Sequence, residues 1–146
     1  MEKSGFFGCD AASKLVRETI YSGIRTPKDL YNALKKCWCA ETCAPRMRSD
    51  WNEDDPTLGQ CSVTSFLVQD IFGGMVFGIP LGDGNYHCFN VVGDTVFDLT
   101  SEQFSGQVLD YALDHEQTRA KHFLKAEKKA RYELLCEKLA CLMKDN

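Results

Sequence analysis

No stretch of this sequence approaches the ~18 consecutive apolar residues that a membrane-spanning helix needs. The opening residues, Met1 to Gly8, carry no long apolar core of the kind that marks a secretion signal. The expectation is a cytoplasmic protein, where thiols stay reduced. A basic excess is also missing: the net charge is −4, which argues against nucleic acid as a partner, as the lack of long apolar runs does against a membrane. The one basic stretch, Lys121 to Arg131, includes Glu127 and reads as the solvated face of a helix. There is no internal repeat, low-complexity tract or composition break, so residues 1–146 read as a single domain, large enough to bury a core without staples.

Cysteine, in contrast, is plentiful: there are eight, at 9, 37, 39, 43, 61, 88, 136 and 141. In a reducing compartment a disulfide framework has no support, and most of these thiols read as small buried hydrophobes. Cys37, Cys39 and Cys43 form a Cys-x-Cys-x3-Cys cluster that, with a fourth ligand such as Cys9, offers an alternative as a zinc site. It lacks the paired Cys-x2-Cys spacing of a zinc knuckle, so reduced, metal-free cysteines are the expectation. No cofactor is expected.

Local patterns predict a short helix over 11–22. A second begins at Pro27 behind the N-cap Thr26, with Asp29 in its first turn and Leu30, Ala33, Leu34 and Cys37 at helical spacing. From 41 to 59 the chain is irregular, broken by Pro45 and Pro56. Cys61 to Phe72 is the clearest helix, stopped by Gly73-Gly74. Strands follow at 75–81, 86–92 and 95–99, the last two joined by a Gly93-Asp94 turn. Thr100 and Gln103 have capping-box spacing, 105–116 stays unassigned, and one or two amphipathic helices over 119–143 carry Phe123, Leu124, Leu134, Leu135, Leu139 and Leu142.

The candidate chemistry lies in the middle. Gly59 allows a tight turn into a helix that starts at Cys61, where free N–H groups and the helix dipole favour a thiolate and could stabilise an oxyanion. With Gly93-Asp94 as the turn, Phe89 faces Asp98, which puts His87, Phe89, Val96 and Asp98 on one side of the sheet. His87 and Asp98 then become diagonal neighbours, ~7–8 Å apart at the backbone, close enough for their side chains to bridge. Cys61, His87 and Asp98 are thus candidates for nucleophile, general base and orienter. Asn90 projects from the opposite face and reads as structural, and His115 and His122 read as surface residues.

Gly59-Gln60-Cys61 is similar to the nucleophile motif of transglutaminases, with His87 and Asp98 in matching order. More of the chain resembles the small bacterial YunG family. The resemblance runs through Trp38, Glu41-Thr42, Trp51, Pro56, Gly59-Gln60-Cys61-Ser62-Val63-Thr64 and Gln69 to Gly74. It continues in His87-Cys88-Phe89-Asn90, Asp98 to Phe104 and Arg131 to Leu135, and so spans residues 30 to 140. Cys37, Cys39 and Cys43 lie outside that pattern. The resemblance implies a bacterial, cytosolic protein.

The expectation is an α+β fold of papain-like or transglutaminase-like type: a helix led by Cys61 packs on a small antiparallel sheet, with helices at both ends. The expected function is a thiol hydrolase or acyltransferase acting on an amide, isopeptide or thioester. Cys61, His87 and Asp98 would be catalytic, and Gln60, Trp38 and Trp51 are candidates for contacting substrate. The alternative is a non-catalytic binding or regulatory module on the same fold.

Overall fold

A computed structural model describes residues 5–144. The first helix, α1 (Cys9–Ala12), lasts a single turn, so the helix expected over 11–22 does not form. Thr19 contributes to this: its hydroxyl sits 2.6 Å from the Ile24 carbonyl and accepts from the Tyr21 N–H at 3.1 Å, binding the chain into a loop. Val16 and Ile20, apolar residues of the expected helix, are exposed.

The second helix, α2 (Pro27–Leu34), starts as its sequence predicts. Thr26 accepts from the Asp29 N–H (3.1 Å) while the Asp29 carboxylate accepts from the Thr26 N–H (3.1 Å), a reciprocal cap ahead of Pro27. Leu30 and Leu34 are buried. Residues 35–60 contain 3-10 turns at Ala40–Thr42 and Pro45–Asp50 and an isolated antiparallel bridge between Asn52 and Asp55. Then comes α3 (Cys61–Phe72), which buries Val63, Phe66, Leu67 and Val68 and ends at Gly73.

Four antiparallel strands follow, β1 (Met75–Pro80), β2 (Tyr86–Val92), β3 (Thr95–Phe97) and β4 (Glu116–Gln117), in the order β3-β2-β1-β4. The β2–β3 hairpin has the expected register, with Val92 opposite Thr95 and Asn90 opposite Phe97, around Gly93 at φ 60°. The capping box at Thr100 is absent, because the Thr100 hydroxyl turns back to Asp98 and a 3-10 turn (Ser101–Phe104) follows instead. The C-terminal region divides into α4 (Arg119–His122) and α5 (Ala126–Lys144), and Leu124 between them is exposed rather than on an apolar face.

With strands of three and two residues at its edges, the sheet is too slight to stand alone. The main core supplies the rest, joining Leu30 and Leu34, Val63, Leu67 and Val68, Phe97, Leu135 and Leu139. Each such side chain contributes ~1.5–3 kcal/mol on burial, so packing on both sides fixes α3 between the sheet and α2 and α5. The stretch expected to be a solvated basic face turns partly inward. Arg131 is buried, pairs with Glu127 and donates to the Thr42 carbonyl at 3.1 Å, which ties α5 to the segment before α3. The architecture is α+β. Among the described residues no helix is long and apolar enough to cross a membrane.

Candidate active site

The turn that presents Cys61 depends on Gly59. Its φ of +71° suits glycine, and a Cβ there would collide with Cys43 Sγ and meet Ala44 N at 3.0 Å. Ala44 N–H donates to the Gly59 carbonyl at 2.9 Å, so the cysteine-containing segment braces the turn from behind. Cys61 opens α3 as a half-buried residue, and the N-cap residue Gln60 makes no side-chain cap to this end of the helix. Its Sγ lies 3.8 Å from the Tyr86 carbonyl at the start of β2.

His87 Nε2 and Asp98 Oδ2 are 2.6 Å apart, with both side chains about 1% exposed. Asp98 is held on every side. Tyr111 donates its hydroxyl to Oδ2 at 2.8 Å, and Thr100 donates its N–H and its hydroxyl to Oδ1 at 3.1 and 3.2 Å. Phe104 stands edge-on to the imidazole at 4.6 Å between ring centres. Because Nε2 is engaged by Asp98, Nδ1 is the nitrogen left for Cys61.

Burial opposes a charge on His87, but Asp98, through charge and hydrogen bond, and then Cys61 outweigh it and push the imidazole up to about 10. Cys61 moves the other way. A hydrogen bond from the Cys88 thiol, and beyond it the His87 imidazole, hold Cys61 well below the ordinary thiol range against the effect of burial. Cys88 rises correspondingly, first through that hydrogen bond and then through its own burial. The local electrostatics thus favour a thiolate facing an imidazolium.

Strand alternation explains how Cys61 meets both neighbours. His87 and Phe89 point to one face of β2; Cys88 and Asn90 point to the other, where Asn90 Nδ2 donates to the Ser65 carbonyl of α3 at 2.9 Å. Cys61, at the first turn of α3 over the beginning of β2, interacts with Cys88 on the helix side and with His87.

The other sequence candidates lie elsewhere. Gln60 is fully buried, its amide donates to the Cys39 carbonyl at 3.0 Å, and its Oε1 has no hydrogen-bond partner among the described residues. Trp38 belongs to the main core and donates its indole N–H to Thr64 Oγ1 at 2.9 Å. Trp51 is half-buried and donates to the Pro56 carbonyl at 3.0 Å. Cys37 joins the main core, where burial pushes it up to about 11, and Cys43 sits behind Gly59 with its thiol donating to the Ala44 carbonyl at 3.5 Å. Among the described residues, no three His, Cys, Asp or Glu side chains come together as a metal-holding group, so the Cys37, Cys39 and Cys43 alternative does not assemble. A cavity of about 500 Å³ lies at the far end of α3 beside Leu67, Asp70, Ile71, Tyr132 and Cys136, and touches none of Cys61, His87 and Asp98.

Four neighbours escaped the sequence reading. Tyr111 lies in the unassigned stretch and has no periodicity to mark it. Cys88 was detectable, since alternation from His87 directs it toward α3. His122, expected at the surface, is half-buried against Phe66 with ring centres 5.1 Å apart, and Lys128 Nζ donates to its Nδ1 at 2.8 Å. That contact crosses the break between α4 and α5, which a single continuous helix would have hidden.

Comparison with known proteins matches residues 26–144 to the profile of a family described as YunG protein. A curated relative, "Uncharacterized protein YunG" of Bacillus subtilis (strain 168), is 37% identical over 75 residues; the match covers 51% of this chain and 60% of that protein's length. No solved structure matches.

Proposed function

We propose that this chain, which belongs to the YunG family, is a thiol hydrolase or acyltransferase acting on an amide, isopeptide or thioester, with Cys61, His87 and Asp98 used in the papain-like or transglutaminase-like manner. The observation that carries this reading is the buried 2.6 Å His87–Asp98 bond beside a half-buried thiol at a helix start. Cys61 Sγ attacks the carbonyl carbon, and the C=O electron pair moves to oxygen, where uncapped N–H groups of α3 meet the negative charge. His87, through Nδ1, gives its proton to the leaving amine or thiol as the C–N or C–S bond breaks. It then takes a proton from water or an acceptor amine, which attacks the acyl-Cys61 and releases the product and the thiolate. Asp98 keeps the imidazole in one tautomer and stabilises its charge. Gln60 has no part in these steps, because its amide is engaged by Cys39.

A binding or regulatory module is the second reading. What favours it is the closure of His87 to solvent, at about 1% exposure, with Cys61 alone of the trio reaching the surface.

Alkylation separates the two. Iodoacetamide at mildly acidic pH is expected to modify Cys61 ahead of Cys141, although Cys141 is the exposed cysteine. The margin should be on the order of 10²-fold, the ratio of thiolate fractions for a depressed thiol and a free one with pKa ~8.5. His87→Ala should remove most of that advantage and Asp98→Asn less of it, as read by mass spectrometry of the labelled peptides. Cys61 reacting no faster than Cys141 would leave the module reading.

A further inference from the structure

A hydrogen-bonded chain runs from the sheet edge toward Cys61, and its proton positions follow from one end. The His115 carbonyl can only accept, so Gln117 turns its NH2 to it (3.1 Å) and its oxygen to His122 Nε2 (2.8 Å). His122 Nε2 therefore carries the hydrogen, and Nδ1 is the lone pair that accepts from Lys128 Nζ at 2.8 Å. This imidazole is neutral; burial first, and then the Lys128 charge, hold it down to about 4.

The chain ends beside the thiols. The His122 ring packs on Phe66, which forms with Val76 and Cys88 the buried apolar cluster against which Cys61 lies. Lys128 is half-buried, yet among the described residues no carboxylate lies within ion-pair distance of its ammonium. One of its three donors is bonded to His122, and the negative charge that lies toward it is that of the Cys61 sulfur, Cys88 staying a neutral thiol. An ammonium kept partly out of water with no carboxylate beside it is costly to maintain, and an anionic ligand would offset that cost once acylation of Cys61 removes the thiolate charge.

We propose that Lys128, positioned by His122, is the anion-recognising residue of the Cys61 site, and that the acyl donor carries a carboxylate or similar anionic group close to its reactive carbonyl. This assignment rests on the nucleophile reading above and adds a substrate class to it. His122 acts here as a positioning residue.

Iodoacetate and iodoacetamide test it, being nearly the same shape and differing in charge. The measured quantity is the ratio of their alkylation rates at Cys61 in the full chain. Lys128→Met is expected to lower the iodoacetate-to-iodoacetamide ratio by about fivefold or more, and Lys128→Arg to keep it within about twofold of the parent. His122→Phe, which removes the lone pair that holds the ammonium, should lower the ratio by less than Lys128→Met does. If Lys128→Met fails to fold, Lys128→Gln gives the same reading with a polar head retained. A ratio within about twofold of the parent in the Met or Gln variant overturns the assignment. Slow reaction of Cys61 with iodoacetamide in the parent overturns the nucleophile reading instead, so the two failures are distinguishable.

Discussion

Two histidines sit in opposite environments, His87 beside Cys61 and His122 on the Phe66 cluster against which Cys61 packs. His87 is clamped to a carboxylate that is itself held by Tyr111 and Thr100, and its imidazole rises to about 10. His122 is clamped between an amide oxygen and an ammonium, and its imidazole falls to about 4. Burial lowers both, so burial does not distinguish them; the sign of the partner's charge does. At neutral pH one ring is a cation that can give a proton and the other is a neutral acceptor that can only orient its neighbour. The same side chain is thus held charged in one setting and neutral in the other.

The widest gap between the two arms should appear in stability. Asp98→Ala leaves the buried His87 and Thr100, and Tyr111, without their shared acceptor, and is expected to cost ~3–5 kcal/mol in urea unfolding. Lys128→Met removes a half-buried ammonium that lacks a carboxylate, and should change stability by less than ~1 kcal/mol. Equal losses would show that the two arms are held alike. Tyr111→Phe keeps the stacking on Phe7 (4.1 Å between centres) and deletes only the hydroxyl that donates to Asp98. Its expected cost is ~1.5–3 kcal/mol, typical of a hydrogen bond to a charged group, and a neutral result would mean that His87 and Thr100 suffice to hold the carboxylate.

The mildest test is the pH dependence, where the two arms should slope in opposite directions. His87 binds its proton more tightly when folded, so its contribution is complete below the ordinary 6.5 and is lost as pH rises toward about 10. His122 is the reverse: the unfolded chain takes up a proton between 6.5 and about 4 that the folded chain refuses, so stability falls as pH falls through that range. Each slope is at most ~1.4 kcal/mol per pH unit. Cys61, held below the ordinary thiol range, contributes with the opposite sign up to ~8.5, so the net alkaline loss falls between ~8.5 and about 10. His87→Gln should flatten that loss, and His122→Gln the acid slope, in unfolding curves collected across pH.

Where the backbone is governed by its nearest neighbours, the sequence was a good guide. Thr26, Pro27 and Asp29 determine a helix start through atoms three residues apart, and Gly93-Asp94 determines a register that puts His87 and Asp98 on one face. Legibility failed where a side chain served a distant partner or its own loop. The Thr100 hydroxyl serves Asp98 rather than a helix cap, and Thr19 binds the loop that replaces a predicted helix. Lys128 and Arg131 look like two more charges in a polar run, and only the fold shows which of them turn inward. Gln60 sits beside Cys61 in sequence, but the Cys39 carbonyl draws its amide into the interior.

The hairpin also determines the order in which these arms are built. His87 and Asp98 are eleven residues apart and joined by a two-residue turn. Closing a loop of ~10 residues takes ~10–100 ns, and a hairpin ~1–10 μs. The contact that ties α5 to the rest of the chain, Arg131 to Thr42, spans 89 residues and carries a larger closure entropy. The imidazole–carboxylate pair is therefore expected to assemble early, from local contacts, while the ammonium arrives with the last helix to dock. A chain stalled before that final step would hold the His87–Asp98 pair in place and lack the Lys128–His122 contact.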